Sequence, residues 1–244
     1  MKQDNVTFKI VIVVFFHVCY ITSCGQPFFS IKERYRNEYN KANLFCQSIR
    51  GKIDSIAKKF DIKTEMLLPI VFPECMRYSV YQDKLETWSL EFLYTNYGKE
   101  YSDFSIGKFQ MKPSFAEKIE ETIKNDSTSF YKYRFIYKHA NSESEHLIRM
   151  ARVYRLKTLE WQILYLCCFY KIAEKNFSSI NFVSSEDKIS FYATAYNLGF
   201  WKNKAEIEKW RNIKLFPSGK IDNFNNFSYG DIASEYYTQI NRNH

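Results

Sequence analysis

Leu67-Leu68-Pro69-Ile70-Val71-Phe72-Pro73-Glu74-Cys75-Met76-Arg77 sets one carboxylate inside a run of Leu, Ile, Val, Phe, Cys and Met. An ionised Glu in such surroundings loses hydration, so its pKa rises. A carboxyl that stays protonated near neutral pH is what a general acid needs, and glycoside cleavage uses one to protonate the departing oxygen. Two plainer readings compete with this: a helix-terminal Glu74 facing solvent, or a Glu74 paired with Arg77 three residues on.

Outward from that run the chain reads as helix after helix. Apolar residues from Ile31 to Phe60 recur at steps of three and four, which predicts a helix over Ser30–Phe60 that Gly51 breaks or bends. Thr64–Tyr78 carries Glu74, and Pro73 removes a backbone donor, so this helix is expected to kink or to start late. Asp83–Tyr97 ends at Gly98, and Pro113–Lys124 opens with proline at its first position. Glu143–Phe177 reads as two helices, opened by the capping box Ser142-Glu143-Ser144-Glu145. Ser185–Leu198 stops at Gly199, and Lys204–Ile213 and Tyr229–Ile240 follow. No segment alternates with period two, so the fold class is mainly α. The sequence shows neither repeat nor linker.

With 244 residues there is enough chain for one ordinary domain with flanking helices. The formal charge of +8 suits an acidic polymer. No basic run interleaved with aromatics appears, so nucleic acid is not expected as a partner. Aromatics are abundant (22 Phe, 19 Tyr) beside only 7 Gly, a bias that carries little functional weight in a chain also rich in Lys, Asn and Ile.

The amino terminus assigns a compartment. Lys2 and Lys9 precede the apolar run Ile10–Ile21, which has the length of a signal-peptide core and is short for a membrane span. It closes on Ile21-Thr22-Ser23-Cys24-Gly25, which resembles a lipoprotein cleavage box, with residues 1–23 removed and Cys24 carrying the lipid. An ordinary signal peptide cleaved nearby is the alternative. Either way the chain is expected to be exported, periplasmic and, with lipid on Cys24, held at the membrane.

Of the remaining cysteines, Cys46, Cys75, Cys167 and Cys168 lack the spacing of a small disulfide framework and are expected as buried thiols. His139, His146 and His244 form no zinc-binding pattern, so neither metal nor other cofactor is expected. In Asp103-Phe104-Ser105-Ile106-Gly107-Lys108-Phe109-Gln110-Met111-Lys112-Pro113, Gly107 would let the backbone approach a ligand. Gln110 offers a donor and an acceptor to sugar hydroxyls or an N-acetyl group. Phe109 and Met111 read as core. The aromatics between Asn125 and Glu145 (Phe130, Tyr131, Tyr133, Phe135 and Tyr137) read as packing on the domain rather than lining a groove.

Three pieces in order now carry a resemblance. Glu74 on an apolar helix is followed by Gly107-Lys108-Phe109-Gln110-Met111-Lys112-Pro113, then by Ala195-Tyr196-Asn197-Leu198-Gly199. This order resembles the lysozyme-like superfamily, above all soluble-type lytic transglycosylases and goose-type lysozymes. The resemblance spans residues 64–200, with 24–63 and 201–244 as helical extensions outside it. It implies a lysozyme-like helical domain acting on peptidoglycan glycan strands. Glu74 would be the catalytic acid, Tyr196 would point its hydroxyl at that Glu (the plainer alternative is a buried Tyr bonded to backbone), and Asn197 would support the contact between helix and site. Gly107 and Gln110 would meet substrate. The family's Ser after the catalytic Glu is replaced here by Cys75, and its Leu by Lys108.

A transglycosylase needs one carboxyl, which first donates a proton and then withdraws one from the muramyl C6 hydroxyl to close a 1,6-anhydro ring. A hydrolase needs a second carboxylate to activate water, at about 6.5–9.5 Å if inverting. Asp103 is the best placed for that, ahead of Asp83 and Glu86. The transglycosylase is the expectation; the alternatives are a lysozyme-type muramidase and a catalytically silent glycan-binding envelope lipoprotein.

Overall fold

The computed structural model describes residues 30–80, 87–138, 144–218 and 227–242. It divides into two compact units, Met1–Tyr35 and Arg36–His244. Several sequence features lie outside the described residues: the apolar run at 10–21, Cys24, Asp83, Glu86, His139, Ser142, Glu143 and His244. In the first unit the described part is one short helix, α1 (Ile31–Arg34), opened by a capping box in which Ser30 and Glu33 exchange backbone and side-chain bonds.

The second unit is mainly helical. Its helices are α2 (Arg36–Ala57), α3 (Thr64–Val80), α4 (Thr87–Tyr97), α5 (Pro113–Asn125), α6 (Glu145–Lys157), α7 (Leu159–Asn176), α8 (Ser185–Leu198), α9 (Lys204–Arg211) and α10 (Tyr229–Arg242). Single 3-10 segments lie at Lys58–Phe60 and Tyr131–Tyr137. Among the described residues, extended pairing is confined to two isolated bridges, Ile106 with Met111 and Phe216 with Phe227. None of their helices is long and apolar enough to cross a membrane.

The helix expected over Ser30–Phe60 breaks at Tyr35, not at Gly51. Glycine in a helix interior costs about 1 kcal/mol relative to alanine. Ile49, Ile53 and Ile56 on one buried face of α2 outweigh that. In the same way α3 starts at Thr64, ahead of Pro69 and Pro73, and stays helical through both. Leu67, Leu68, Ile70, Val71, Phe72 and Met76 are all buried, and their burial holds a helix that two missing donors would weaken. The expected division within Glu143–Phe177 falls at Thr158, between α6 and α7.

Helix α3 is the element around which the others pack: α2, α7, α8 and α10 all lie against it. Phe72 of α3 stacks on Tyr236 of α10 at 3.6 Å and meets Tyr39 of α2 edge-on at 5.0 Å. A polar cluster ties α4, α5, α6 and α7 together. Arg152 bridges Glu120 at 2.7 Å and Glu117 at 3.1 Å, and Tyr165 donates to Glu120 at 2.5 Å. Arg152 and Glu120 are both buried, so the pair stands only because each has its partner. Of the aromatics expected to pack on the domain from the 125–145 region, Phe130 is buried and Tyr133 stacks on Phe60 at 5.0 Å, whereas Tyr131 is 69 % exposed.

Candidate active site

Glu74 stands in the third turn of α3 and is 4 % exposed. Burial raises its pKa, and Arg77, a hydrogen bond from Asn197 and the more distant Lys112 pull the other way without overcoming it. Of the two plain readings of Glu74, the solvent-facing one fails, and the pairing with Arg77 is present as an ion pair of 3.6 Å between Nη1 and Oε2. Asn197 Nδ2 donates to Oε1 at 3.0 Å, whereas the buried Oε2 takes no hydrogen bond from any described residue. With Oε1 held as an acceptor, the proton of the neutral acid belongs on Oε2.

This carboxyl opens on a cavity of about 160 Å³ whose walls include Arg77, Asp103, Gln110, Lys112, Tyr196, Asn197 and Trp201. Binding pockets for whole small molecules run to roughly 300–1,000 Å³. The cavity is therefore smaller than one that encloses a whole small molecule. Of the residues singled out in the sequence, Glu74, Asp103, Gln110, Tyr196 and Asn197 are brought together here; Gly107 does not line the space.

Each wall has a local cause. The segment Ile106–Met111 is a tight turn, closed by Ile106 N–H to Met111 O (2.9 Å) and Met111 N–H to Ile106 O (3.1 Å). It needs left-handed backbone at Gly107 (φ +70°) and at Gln110 (φ +48°), the latter uncommon for a residue with a side chain. Gln110 Nε2 donates to Gly107 O at 2.8 Å, which fixes the amide in the turn.

Gly107 serves a role other than the expected one. A Cβ there would lie 1.6 Å from Gln162 Nε2, so the close approach is by the buried Gln162 side chain of α7 and not by a ligand. Gln162 in turn accepts from Phe109 N–H (3.0 Å) and donates to Leu156 O (2.6 Å). Phe109 and Met111 are core, as expected.

Tyr196 also departs from the role that the resemblance implied. Its hydroxyl donates to Phe109 O at 2.8 Å, and it is Asn197 that holds Glu74. Burial, with the Glu74 charge adding to it, pushes the Tyr196 phenol well up, so it stays a neutral donor. Tyr196 thus ties α8 to the turn and shapes the wall beside the acid. Its ring is held edge-on by Phe115 at 4.9 Å and Phe169 at 5.4 Å.

Asp103 is committed to structure. Ser114 donates to it from its amide (3.0 Å) and from its hydroxyl (2.8 Å), so Asp103 satisfies a donor at the start of α5. Cys75, in place of the family's Ser, is buried against Cys46. Burial and that neighbour keep its thiol protonated, and among the described residues its thiol makes no hydrogen bond to the Glu74 carboxyl. All four described cysteines are buried free thiols.

Sequence reading missed Lys112 and Trp201. Trp201 keeps 45 % of its surface exposed, and its ring lies over Gly199, where a Cβ would come within 2.7 Å of it. Its signal was its place two residues past Ala195-Tyr196-Asn197-Leu198-Gly199. An exposed aromatic face at the rim offers a sugar ring a flat apolar surface. The arrangement as a whole can hold a neutral carboxylic acid, present its proton to a bound ligand, and stabilise the resulting carboxylate through Asn197 and Arg77. No protein-family model, no curated protein and no solved structure matches the chain.

Proposed function

We propose that the protein is a peptidoglycan lytic transglycosylase with a lysozyme-like catalytic domain. It cleaves the β-1,4 bond between N-acetylmuramic acid and N-acetylglucosamine and leaves a 1,6-anhydro-muramic end. The observation that carries this reading is the buried Glu74 at the cavity wall, held by Asn197 on one oxygen and without a hydrogen bond on the other, with its pKa raised by burial.

Neutral Glu74 gives its Oε2 proton to the glycosidic oxygen, the bond to the muramyl anomeric carbon breaks, and the N-acetyl group of that sugar supports the developing cation. Glu74, now ionised beside Arg77, takes the proton of the muramyl C6 hydroxyl, whose oxygen closes on the anomeric carbon. No water enters the products. The engagement of Asp103 with Ser114 supports this route over hydrolysis, because a carboxylate holding two hydrogen bonds is a weakened base for activating water. Gln110 and Trp201 are the proposed glycan contacts.

Mass spectrometry of digested peptidoglycan tests the reading. Muropeptides one water lighter than lysozyme products are expected from the parent and none from Glu74→Gln. Reducing-end products would make the protein a muramidase, and glycan binding without turnover would make it a silent envelope lipoprotein. Export and anchoring through Cys24 are part of the proposal: Cys24→Ser should leave the membrane fraction, and unchanged processing would contradict it.

A further inference from the structure

The segment that joins α4 to the cavity wall carries two exposed aromatic rings. Tyr97, the last residue of α4, and Tyr101 keep 55 % and 68 % of their surface exposed, and their rings meet at 5.3 Å between centroids, tilted by 46°. Tyr101 N–H donates to Gly98 O at 3.1 Å, a turn that brings the second ring back beside the first. Two polar contacts then fix the path of the chain along α5. Lys99 Nζ pairs with Glu117 at 3.2 Å, and Asp103 accepts from Ser114, three residues earlier on the same face of α5. Tyr101 lies midway between these two anchors. Asp103 and Ser114 both line the cavity. Two residues of extended chain span at most about 7 Å, which bounds the distance from the Tyr101 Cα to that of Asp103 in the cavity wall.

We propose that Tyr97 and Tyr101 form a sugar-binding platform next to the cavity, which takes a pyranose ring of the glycan strand beyond the sugars at Glu74. This rests on the glycan-cleaving reading and extends its substrate from a single linkage to a strand several sugars long. The cavity, at about 160 Å³, is smaller than one that encloses a whole small molecule, so a polymer bound across Glu74 has its flanking sugars outside it. A β-linked pyranose has a face of C–H groups and a rim of hydroxyls. The apolar face of a Tyr ring covers the first, and its phenolic hydroxyl bonds the second. A Tyr has only two side-chain torsions to fix, so covering one with ligand costs little conformational freedom. Two exposed rings in contact with each other, on a segment pinned at both ends to α5, offer such a surface already formed.

The test uses Glu74→Gln protein, so that ligand is not consumed, and an alternating N-acetylglucosamine–N-acetylmuramic acid octasaccharide as the probe. NMR of ring-labelled tyrosine, assigned through Tyr97→Phe and Tyr101→Phe, follows the two rings, and calorimetry gives the affinity. Both ring signals should shift as octasaccharide is added. Adding Tyr101→Ser, at an exposed position that spares the core, should weaken binding about 2- to 10-fold, the scale of one aromatic contact. Tyr101→Phe keeps the ring and should recover most of that loss. If octasaccharide binds while both ring signals stand still and Tyr101→Ser leaves the affinity unchanged, the platform is overturned and glycan cleavage stands. If octasaccharide does not bind at all, the glycan reading itself falls, and the platform with it. A dimer in sedimentation that Tyr101→Ser dissolves would make the two rings a contact between copies of the chain, which also overturns the platform.

Discussion

Gly107→Ala is the substitution whose consequence the structure determines most closely. The added Cβ would sit 1.6 Å from Gln162 Nε2 and 2.7 Å from its Cδ, so Gln162 must leave its place. It cannot leave freely, because it is 1 % exposed and bonds both Phe109 N–H and Leu156 O. Holding alanine at φ +70° costs about 1–2 kcal/mol, and each buried group stripped of its partner adds about 1–3 kcal/mol. The sum, about 3–8 kcal/mol, is comparable with the whole stability of a small domain. Gln162→Ala separates the terms. It removes the obstacle together with the bonds, so adding Gly107→Ala to it should cost only the left-handed strain, about 1–2 kcal/mol. The assay is urea unfolding of the four proteins of the cycle, with slopes compared to confirm a shared unfolded state. If Gly107→Ala costs less than about 1 kcal/mol in the parent, or the two substitutions simply add, Gln162 is not what Gly107 makes room for.

Arg152→Met should destabilise the protein by about 3–5 kcal/mol, because it leaves Glu120 buried without its cation; a loss below about 1 kcal/mol in thermal or urea unfolding would contradict that. Tyr196→Phe keeps the ring between Phe115 and Phe169 and loses one hydrogen bond to Phe109 O, so it should cost about 1–3 kcal/mol in urea unfolding. It should also lower turnover less than Glu74→Gln does, and a loss as complete as that of Glu74→Gln would give its hydroxyl a chemical role. Burial holds the Glu74 pKa of the folded state above that of the unfolded chain, so between the two the folded protein binds the extra proton. Stability from this group is present below the unfolded pKa and lost as pH rises through the folded one. Unfolding midpoints of Glu74→Gln should therefore gain on the parent as pH rises from acid to neutral, and a parent that gains instead would reverse the sign of the burial argument.

What the sequence made legible is what local chemistry governs. Proline at the first turn of α5, Gly199 closing α8 and a carboxylate alone in an apolar run are short-range signals, and each falls where it was read. Gly51 misled because its cost is small beside the burial of its neighbours on α2. The site failed to read through wherever a long-range contact sets the role. Gly107 and Gln162 lie 55 positions apart, and nothing in the α7 sequence marks Gln162 as the occupant of the space a side chain would take. Asp103 looked like a polar loop residue open to catalysis, and the bonds that engage it come from Ser114, across the turn. Tyr196 and Asn197 are adjacent on one helix, and which of the two reaches Glu74 depends on helix rotation that a motif does not specify.

The central claim is that Glu74 is a neutral acid poised to donate. Its most direct measurement is the pH titration of the Glu74 side-chain carboxyl carbon by NMR, assigned by difference from Glu74→Gln protein. A midpoint clearly above the ordinary glutamate value of 4.5 is predicted, rising further in Arg77→Gln, where a charge that favours ionisation has gone. A midpoint at or below 4.5 would mean that Arg77 and Asn197 overcome burial, that Glu74 is an ionised partner of Arg77, and that it has no proton to give.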